Sequence, residues 1–227
     1  MSALFVAGAG TDIGKTEIAC GLIRALRARG VGVDAFKPLL SGFDPAAPAG
    51  SDAARLLDAL GRAVTPEEIA AMSPWRFRAP LAPNMAARAE GAVVRFEAVQ
   101  TACVARVEAA APGLLLVEGA GGLMSPLSDE TTFLDLTGAL HAPSLLVAGS
   151  YLGAISHALT ALEALRARAL SVRALIVSES AQSGVTLAET VQALARLAGP
   201  VPVLAAPRYD RAGFDAAMQD VASRVLA

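Results

Sequence analysis

The residues best suited to chemistry lie in the stretch GAGTDIGKT, from Gly8 to Thr16. In a glycine-rich turn that opens a helix, backbone N–H groups can hold phosphate oxygens. Lys15 can reach the terminal phosphates of a nucleotide, and the Thr16 hydroxyl can bind a magnesium ion. A P-loop has four residues between its two conserved glycines, whereas Gly8 and Gly14 enclose five. The stretch therefore indicates a nucleotide triphosphate site with an unusual loop length.

A second lysine, Lys37, follows the apolar stretch VGVDAF and precedes Pro38. At the carboxyl end of a strand, on the ligand side of a sheet, its ammonium could stabilise a second anionic group; the alternative is a solvated surface lysine. The chain has only two lysines, against 17 arginines. Because both lysines stand where phosphate chemistry would place them, we favour the functional interpretation of Lys37.

Two acidic residues are candidates for the magnesium side of the site. Asp52 follows Ser51, a typical helix N-cap, so it either stabilises a helix start or lies near the metal. Glu118 ends the apolar run LLLV and precedes Gly119 and Gly121. A carboxylate at the tip of a buried strand is typical of the magnesium-side acid of P-loop enzymes. The alternative is an exposed glutamate in a glycine turn.

These residues require a scaffold that brings strand ends together. Short apolar runs alternate with amphipathic helical patterns, and their near-continuous hydrophobicity is typical of strands covered on both faces. The predicted strands are 3–8, 31–36, 114–119, 144–149, 172–178 and 201–206, and the predicted helices are 16–29, 95–110, 154–168, 185–197 and 211–225. The irregular stretch 38–92 should contain helices from Ser51 and Thr65. We predict an α/β fold with a P-loop NTPase-type, mostly parallel sheet, helices on both faces, and a single domain over 1–227.

Composition excludes several classes of protein. The chain is 54% hydrophobic and 18% charged, which is unlike a disordered chain. A net charge of −2 argues against a nucleic-acid-binding surface. Cys20 and Cys103 lack metal-type spacing, and the first apolar run is too short to span a membrane. We therefore expect a soluble cytoplasmic protein that binds neither nucleic acid nor membrane.

Taken together, GAGTDIGKT, KPLLSG, SDA and VEGAGGLMSPLSD closely resemble the dethiobiotin synthetase family, with matching order and spacing along nearly the whole chain. The P-loop alone is generic, but the lysine motif together with EGAGG and PLSD is specific. The family's loop also carries five residues between its glycines. The resemblance implies an ATP-dependent reaction of 7,8-diaminopelargonate with carbon dioxide or bicarbonate, in which a carbamate is phosphorylated and then closed to a cyclic urea.

The resemblance also implies roles for individual residues. Lys37 stabilises the carbamate, Lys15 bridges it to the γ-phosphate, and Thr11 and Ser41 orient the substrate. The magnesium ligands that it implies are Thr16, Asp52 and Glu118. The nucleotide-binding residues that it implies are Asp12, Ile13, Gly14, Lys15, Thr16, Glu17, Asp52, Glu118, Gly119, Ala120, Gly121, Ser178, Glu179, Pro207, Arg208 and Tyr209.

The resemblance also implies that the protein works as a homodimer. The resemblance implies that the carboxylate tail of the substrate is received by the partner's YLGAISH segment, which contains Leu152 and Gly153. The start of a helix is a favourable place for a carboxylate.

The chain departs from the family's pattern in the phosphate loop and where the base is read. The family usually has Asn-Asp where this chain has Ser178-Glu179, and its loop usually reads Thr-Asp-Thr-Glu where this one reads Ala9-Gly10-Thr11-Asp12. An asparagine amide can pair with adenine through two hydrogen bonds, whereas a serine hydroxyl cannot. We therefore expect the base pocket to discriminate poorly.

Two other functions are alternatives to this one. A relative of the cobyrinic acid amidating ATPases would need a glutaminase domain, for which 227 residues leave no room. A switch ATPase of the partitioning type usually carries a further lysine early in the P-loop, where this chain has Ala9 or Gly10. Its terminal membrane helix is usually basic, whereas FDAAMQDVASRVLA has few basic residues.

Overall fold

The computed structural model describes residues 3–226 and contains a six-stranded parallel sheet with helices on both faces. The strands are β1 (Ala3–Gly8), β2 (Val33–Phe36), β3 (Leu39–Ser41), β4 (Trp75–Phe77), β5 (Leu114–Glu118), β6 (Ser144–Ala148), β7 (Val172–Ser178) and β8 (Val203–Ala206). The large sheet has the order β2-β5-β1-β6-β7-β8, and β3 and β4 form a separate parallel pair. This architecture confirms the predicted fold class.

Most helices lie where the sequence predicts them. They are α1 (Lys15–Ala28), α2 (Asp52–Ala59), α3 (Pro66–Met72), α4 (Pro83–Ala89), α5 (Phe96–Ala110), α6 (Phe133–Ala139), α7 (Ala154–Ala167), α8 (Leu187–Leu197) and α9 (Arg211–Leu226). Ser51 and Thr65 accept hydrogen bonds from Ala54 and Glu68, so each caps a helix that begins where the sequence predicts it. No helix in residues 3–226 is long and apolar enough to cross a bilayer.

The continuous apolar runs arise because the sheet has a hydrophobic cluster on each face. Along β1, Leu4 and Val6 contribute to one cluster, whereas Phe5 and Ala7 contribute to the other. Successive side chains of a strand point to opposite faces, so a strand covered on both faces must be apolar throughout. Helices α1, α2, α3 and α9 contribute to the first cluster, and α4 to α8 contribute to the second.

Four elements were not predicted: β3, β4, α4 and α6. Each is seven residues or shorter, which leaves too little periodicity to identify it from sequence. Helix α6 contains Gly138 but begins with a capping box between Thr132 and Asp135.

The strand order decides the position of the candidate site. β5 lies between β2 and β1 and pairs with both in parallel register. Because parallel strands end at the same edge, the loop after β1, Lys37 after β2 and Glu118 at the end of β5 all meet there. Ligands in open parallel sheets bind at this edge.

Candidate active site

The loop between β1 and α1 forms a cradle of backbone amides. No N–H group from Gly10 to Glu17 donates to an acceptor within residues 3–226. Asp12 and Gly14 have left-handed backbone, with φ values of 55° and 89°. Turns that mix left- and right-handed residues direct successive N–H groups into a concave anion site. The geometry of the loop therefore suits phosphate oxygens despite its extra residue.

Gly8 is required by the close approach of this loop to its neighbours. A Cβ at Gly8 would come within 2.8 Å of the Lys15 side chain and within 2.9 Å of the Gly10 and Gly121 carbonyl oxygens. Lys15 folds back over the loop, and its Nζ donates to the Gly10 carbonyl at 2.9 Å. Burial, together with the neighbouring ammonium of Lys37, lowers the pKa of Lys15 to about 8.

Lys37 lies at the centre of the acidic part of the site. Its Nζ is 2.5 Å from Glu118 Oε1 and 2.9 Å from Asp52 Oδ2. The Thr16 hydroxyl donates to the same Glu118 oxygen at 2.6 Å. Lys37, Thr16 and Glu118 are buried, whereas Asp52 is partly exposed. The three residues predicted to bind magnesium therefore meet around one ammonium.

The charges of this cluster compensate one another. Burial alone would lower the pKa of Lys37, but Glu118 and Asp52 outweigh it and raise that pKa above its ordinary value. Burial would raise the pKa of Asp52, but the ammonium of Lys37 holds it below its usual range. Lys37 and Asp52 are thus both charged near neutral pH.

The same residues fit a magnesium ion. Glu118 Oε2 is buried without a hydrogen-bond partner, so it is an acceptor that lacks a donor or a cation. Within residues 3–226 no group of three His, Cys, Asp or Glu side chains could hold a metal. Two carboxylates and a hydroxyl nevertheless suit Mg²⁺, which takes few protein ligands and completes its shell with phosphate oxygens and water.

A cleft of about 910 Å³ joins the phosphate loop to the acidic cluster. The predicted site residues along it are Thr11, Asp12, Ile13, Gly14, Lys15, Thr16, Glu17, Lys37, Ser41, Asp52, Glu118, Ala120, Gly121, Ser178, Pro207 and Arg208. The Ser41 hydroxyl is buried without a partner, which leaves it available to a bound molecule. Gly119 does not line the cleft and lies next to the Phe5 and Phe133 rings.

The far end of the cleft contains the residues predicted to flank the base. A Cβ at Gly14 would come within 2.5 Å of the Ser178 hydroxyl, so Ser178 packs directly against the phosphate loop. The Glu179 carboxylate accepts a hydrogen bond from the Arg208 backbone N–H at 2.8 Å. It is therefore engaged with the neighbouring loop, and neither Glu179 nor the exposed Tyr209 lines the cleft.

Leu152 and Gly153 lie outside the cleft, at the start of α7. Gly153 is the N-cap of this helix, and Leu152 is 96% exposed. The structure therefore does not bring these two residues together with the other predicted site residues.

Sequence reasoning missed several residues along the cleft. These are Leu40, Arg55, Pro80, Leu81, Ala82, Pro83, Ser125, Ala206, Arg211 and Phe214. Ser125 lies in the stretch VEGAGGLMSPLSD, directly before PLSD, and its hydroxyl lies over Gly121, so this stretch was a usable signal. The segment 80–83 lies in the irregular stretch, where no periodicity predicts which side chains face a ligand.

Comparison with known proteins assigns the chain to a family. A family model described as an AAA domain matches residues 2–210. The ATP-dependent dethiobiotin synthetase BioD of Caulobacter vibrioides is 55% identical over 208 residues, which cover 92% of this chain and 93% of the relative. The protein of the same name from Phenylobacterium zucineum is 50% identical and covers 97% and 94%.

Solved structures with little sequence identity share the fold. The MinC:MinD cell division complex of Aquifex aeolicus matches with a TM-score of 0.56 at 14% identity, covering 99% of this chain and 95% of the other. The signal recognition particle receptor FtsY of Elizabethkingia anophelis matches with a TM-score of 0.52 at 16% identity, covering 98% and 63%. At such identities only the fold is shared. The relatives at 50% and 55% identity, together with the matching site motifs, place this chain in the ATP-dependent dethiobiotin synthetase family.

Proposed function

We propose that this chain is an ATP-dependent dethiobiotin synthetase that joins carbon dioxide to 7,8-diaminopelargonate and closes the ring. The observation that carries the proposal is the meeting of the phosphate loop, Lys37 and a cleft with an unpaired Ser41 hydroxyl at one edge of the sheet. We propose that residues 1–227 act as one P-loop unit. The switch ATPase alternative is not favoured, because the likeness to MinC:MinD is one of fold alone.

The reaction creates two anions that must be brought together. One amine of the substrate takes up carbon dioxide and loses a proton, which gives a carbamate. A carbamate oxygen attacks the γ-phosphorus of ATP, and the bond to ADP breaks to give a carbamic-phosphoric anhydride. The second amine attacks the carbonyl carbon, closes the urea ring and expels phosphate. The protein's task is to position these groups and to balance their charges.

Lys37 is the residue that we assign to the carbamate. Its buried ammonium already forms ion pairs with Asp52 and Glu118. When another cation binds those carboxylates, Lys37 is free to turn towards an anion in the cleft. Thr11 and Ser41 line the same cleft and can donate hydrogen bonds to the substrate.

Lys15 is assigned to the γ-phosphate. In the structure its Nζ donates to Gly10 O, which is a weaker partner than a phosphate oxygen. A side chain that rotates from this carbonyl to the phosphate would lie between the nucleotide and the carbamate. The positive charge of Lys15 would then stabilise the negative charge that accumulates as the carbamate and the γ-phosphate approach each other.

Thr16, Asp52 and Glu118 are the residues that would hold Mg²⁺. A magnesium ion bound there would neutralise charge on the β- and γ-phosphates. The phosphates themselves would lie on the amides of Asp12, Ile13, Gly14 and Glu17 and beside Gly119, Ala120 and Gly121. Ser178, Glu179, Pro207, Arg208 and Tyr209 would surround the base.

We further propose that the enzyme works as a homodimer in the cytoplasm. Leu152 exposes nearly its whole side chain at the start of α7. An apolar residue beside a helix N-terminus suits contact with a second copy and with the carboxylate tail of its substrate. Leu152 and Gly153 would then complete the partner's site.

The direct test is product formation. The protein is incubated with 7,8-diaminopelargonate, bicarbonate, MgCl₂ and ATP, and dethiobiotin is measured by mass spectrometry. We expect dethiobiotin in equal amount to the phosphate released, and we expect Lys37→Ala to remain folded but to lose at least ~100-fold in turnover. Phosphate release without dethiobiotin would contradict the proposed function.

A near-normal rate in a folded Lys37→Ala variant would instead contradict only the role of Lys37. A matched control is Arg24→Ala, which removes a positive charge from an exposed ion pair with Asp58 on the surface of α1. Its rate should be that of the wild-type protein.

A further inference from the structure

The main chain of Lys37 is held by a segment of the irregular stretch. Its N–H donates to the Met72 carbonyl at 3.1 Å, and its own carbonyl accepts a hydrogen bond from the Ser73 hydroxyl at 2.6 Å. Ser73 is fully buried, with 0% exposure. Two consecutive residues at the end of α3 therefore hydrogen-bond both the N–H and the carbonyl group of Lys37.

Lys37 needs such a partner because it lies between two strands. β2 ends at Phe36 and β3 begins at Leu39, so Lys37 belongs to neither ladder. Pro38, the next residue, has no N–H to donate. Beyond it, the Pro38 carbonyl accepts from the Trp75 N–H at 3.1 Å.

The same segment aligns Ser41. From Trp75 to Phe77 it pairs as β4 with β3, and this ladder ends with Ser41 beside Phe77. The segment 72–77 thus runs along the chain from Lys37 to Ser41 and fixes both. These are the two residues to which we assign the carbamate and the substrate.

We propose that Ser73 is a positioning residue for catalysis, acting through Lys37; this inference rests on the proposed function. When the Lys37 ammonium moves from Asp52 and Glu118 to the substrate, a fixed main chain confines the movement to side-chain torsions. A misplacement of about 1 Å at a reacting group can reduce the rate about 100-fold. Two hydrogen bonds to the Lys37 main chain prevent such a misplacement, and the Ser73 hydroxyl donates the shorter of them.

The structure indicates that this hydroxyl can be removed without unfolding the segment. The Ser73 N–H donates to the Ile69 carbonyl at 2.9 Å, and the Ser73 carbonyl accepts a bond from Arg76. Neither bond uses the hydroxyl, and alanine fits in the space of serine. Ser73→Ala therefore removes the contact to Lys37 and leaves the end of α3 in place.

The test is a steady-state comparison of Ser73→Ala with wild type in the intact enzyme. We expect kcat to fall by about 10- to 100-fold, while KM for ATP changes by less than about twofold because the phosphate loop is untouched. The matched control is Thr137→Val, which removes another buried hydroxyl that donates to a backbone carbonyl, that of Phe133, at 2.7 Å. It should lower stability in urea without lowering kcat.

A second comparison separates positioning from a general structural effect. In a Lys37→Ala background the ammonium is absent, so Ser73→Ala should change the remaining rate by less than about twofold. An equal loss in both backgrounds would overturn the proposal, as would a folded Ser73→Ala enzyme with wild-type kcat. A wild-type rate for Lys37→Ala alone would remove the role of Lys37, and the inference with it, although dethiobiotin formation would stand.

Discussion

Replacement of Lys37 by methionine should destabilise the protein as well as inactivate it. The variant keeps the length of the side chain but removes the ammonium between Asp52 and Glu118. The two carboxylates then differ in how well water can solvate them. Asp52 is 36% exposed and can regain water, whereas Glu118 is 1% exposed and retains only the Thr16 hydroxyl. The loss of stability should therefore come from Glu118.

Its magnitude follows from the burial of the pair. Removing one partner of a buried ion pair costs about 3–5 kcal/mol of stability, because the remaining charge is left uncompensated. We expect the lower end, about 3 kcal/mol, since Thr16 still donates to Glu118. The double variant Lys37→Met/Glu118→Gln contains no buried charge at this position, and it should regain most of that loss.

Urea unfolding without nucleotide or metal measures both values. Trp75, the one tryptophan of the sequence, lies in β4 and reports unfolding by fluorescence. Added Mg²⁺ should stabilise Lys37→Met more than the wild-type protein, because the competing ammonium is gone. A loss below about 1 kcal/mol, the range of exposed pairs, would refute the reasoning. If the double variant did not regain the lost free energy of unfolding, the destabilisation of Lys37→Met would not come from the unpaired Glu118 carboxylate.

Three further predictions concern the metal, the thiols and the base. Glu118→Gln should raise the Mg²⁺ concentration needed for activity more than it weakens metal-free nucleotide binding by calorimetry; an unchanged Mg²⁺ titration would contradict this. Burial raises the pKa of Cys20 and Cys103 to about 12, so at about pH 8 iodoacetamide should label neither in the native protein and both in urea. CTP or GTP should support dethiobiotin formation at a substantial fraction of the ATP rate, because a lost bidentate pairing corresponds to roughly 1–3 kcal/mol of discrimination. Initial rates at subsaturating concentrations would contradict this if ATP were preferred by more than about a thousandfold.

The sequence determined the large sheet and its helices because their signals are local. An apolar run such as LLLVE must be a strand covered on both faces, and Ser51 and Thr65 each cap a helix with their own side chains. The glycine and lysine spacing of the first loop predicts a phosphate cradle for the same reason. A phosphate cradle needs only backbone amides and the start of a helix, and adjacent residues of the sequence supply both.

Tertiary structure alone decided how the distant residues meet. No local pattern states that Lys37 lies between Asp52 and Glu118, because their contact depends on the insertion of β5 between β2 and β1. Nor could the sequence indicate that Ser73 holds the main chain of Lys37, since a serine before Pro74 is an ordinary end to a helix. Motifs show which chemical groups are present. The distances between residues remote in sequence depend instead on how whole helices and strands pack, and this packing satisfies all of their contacts together.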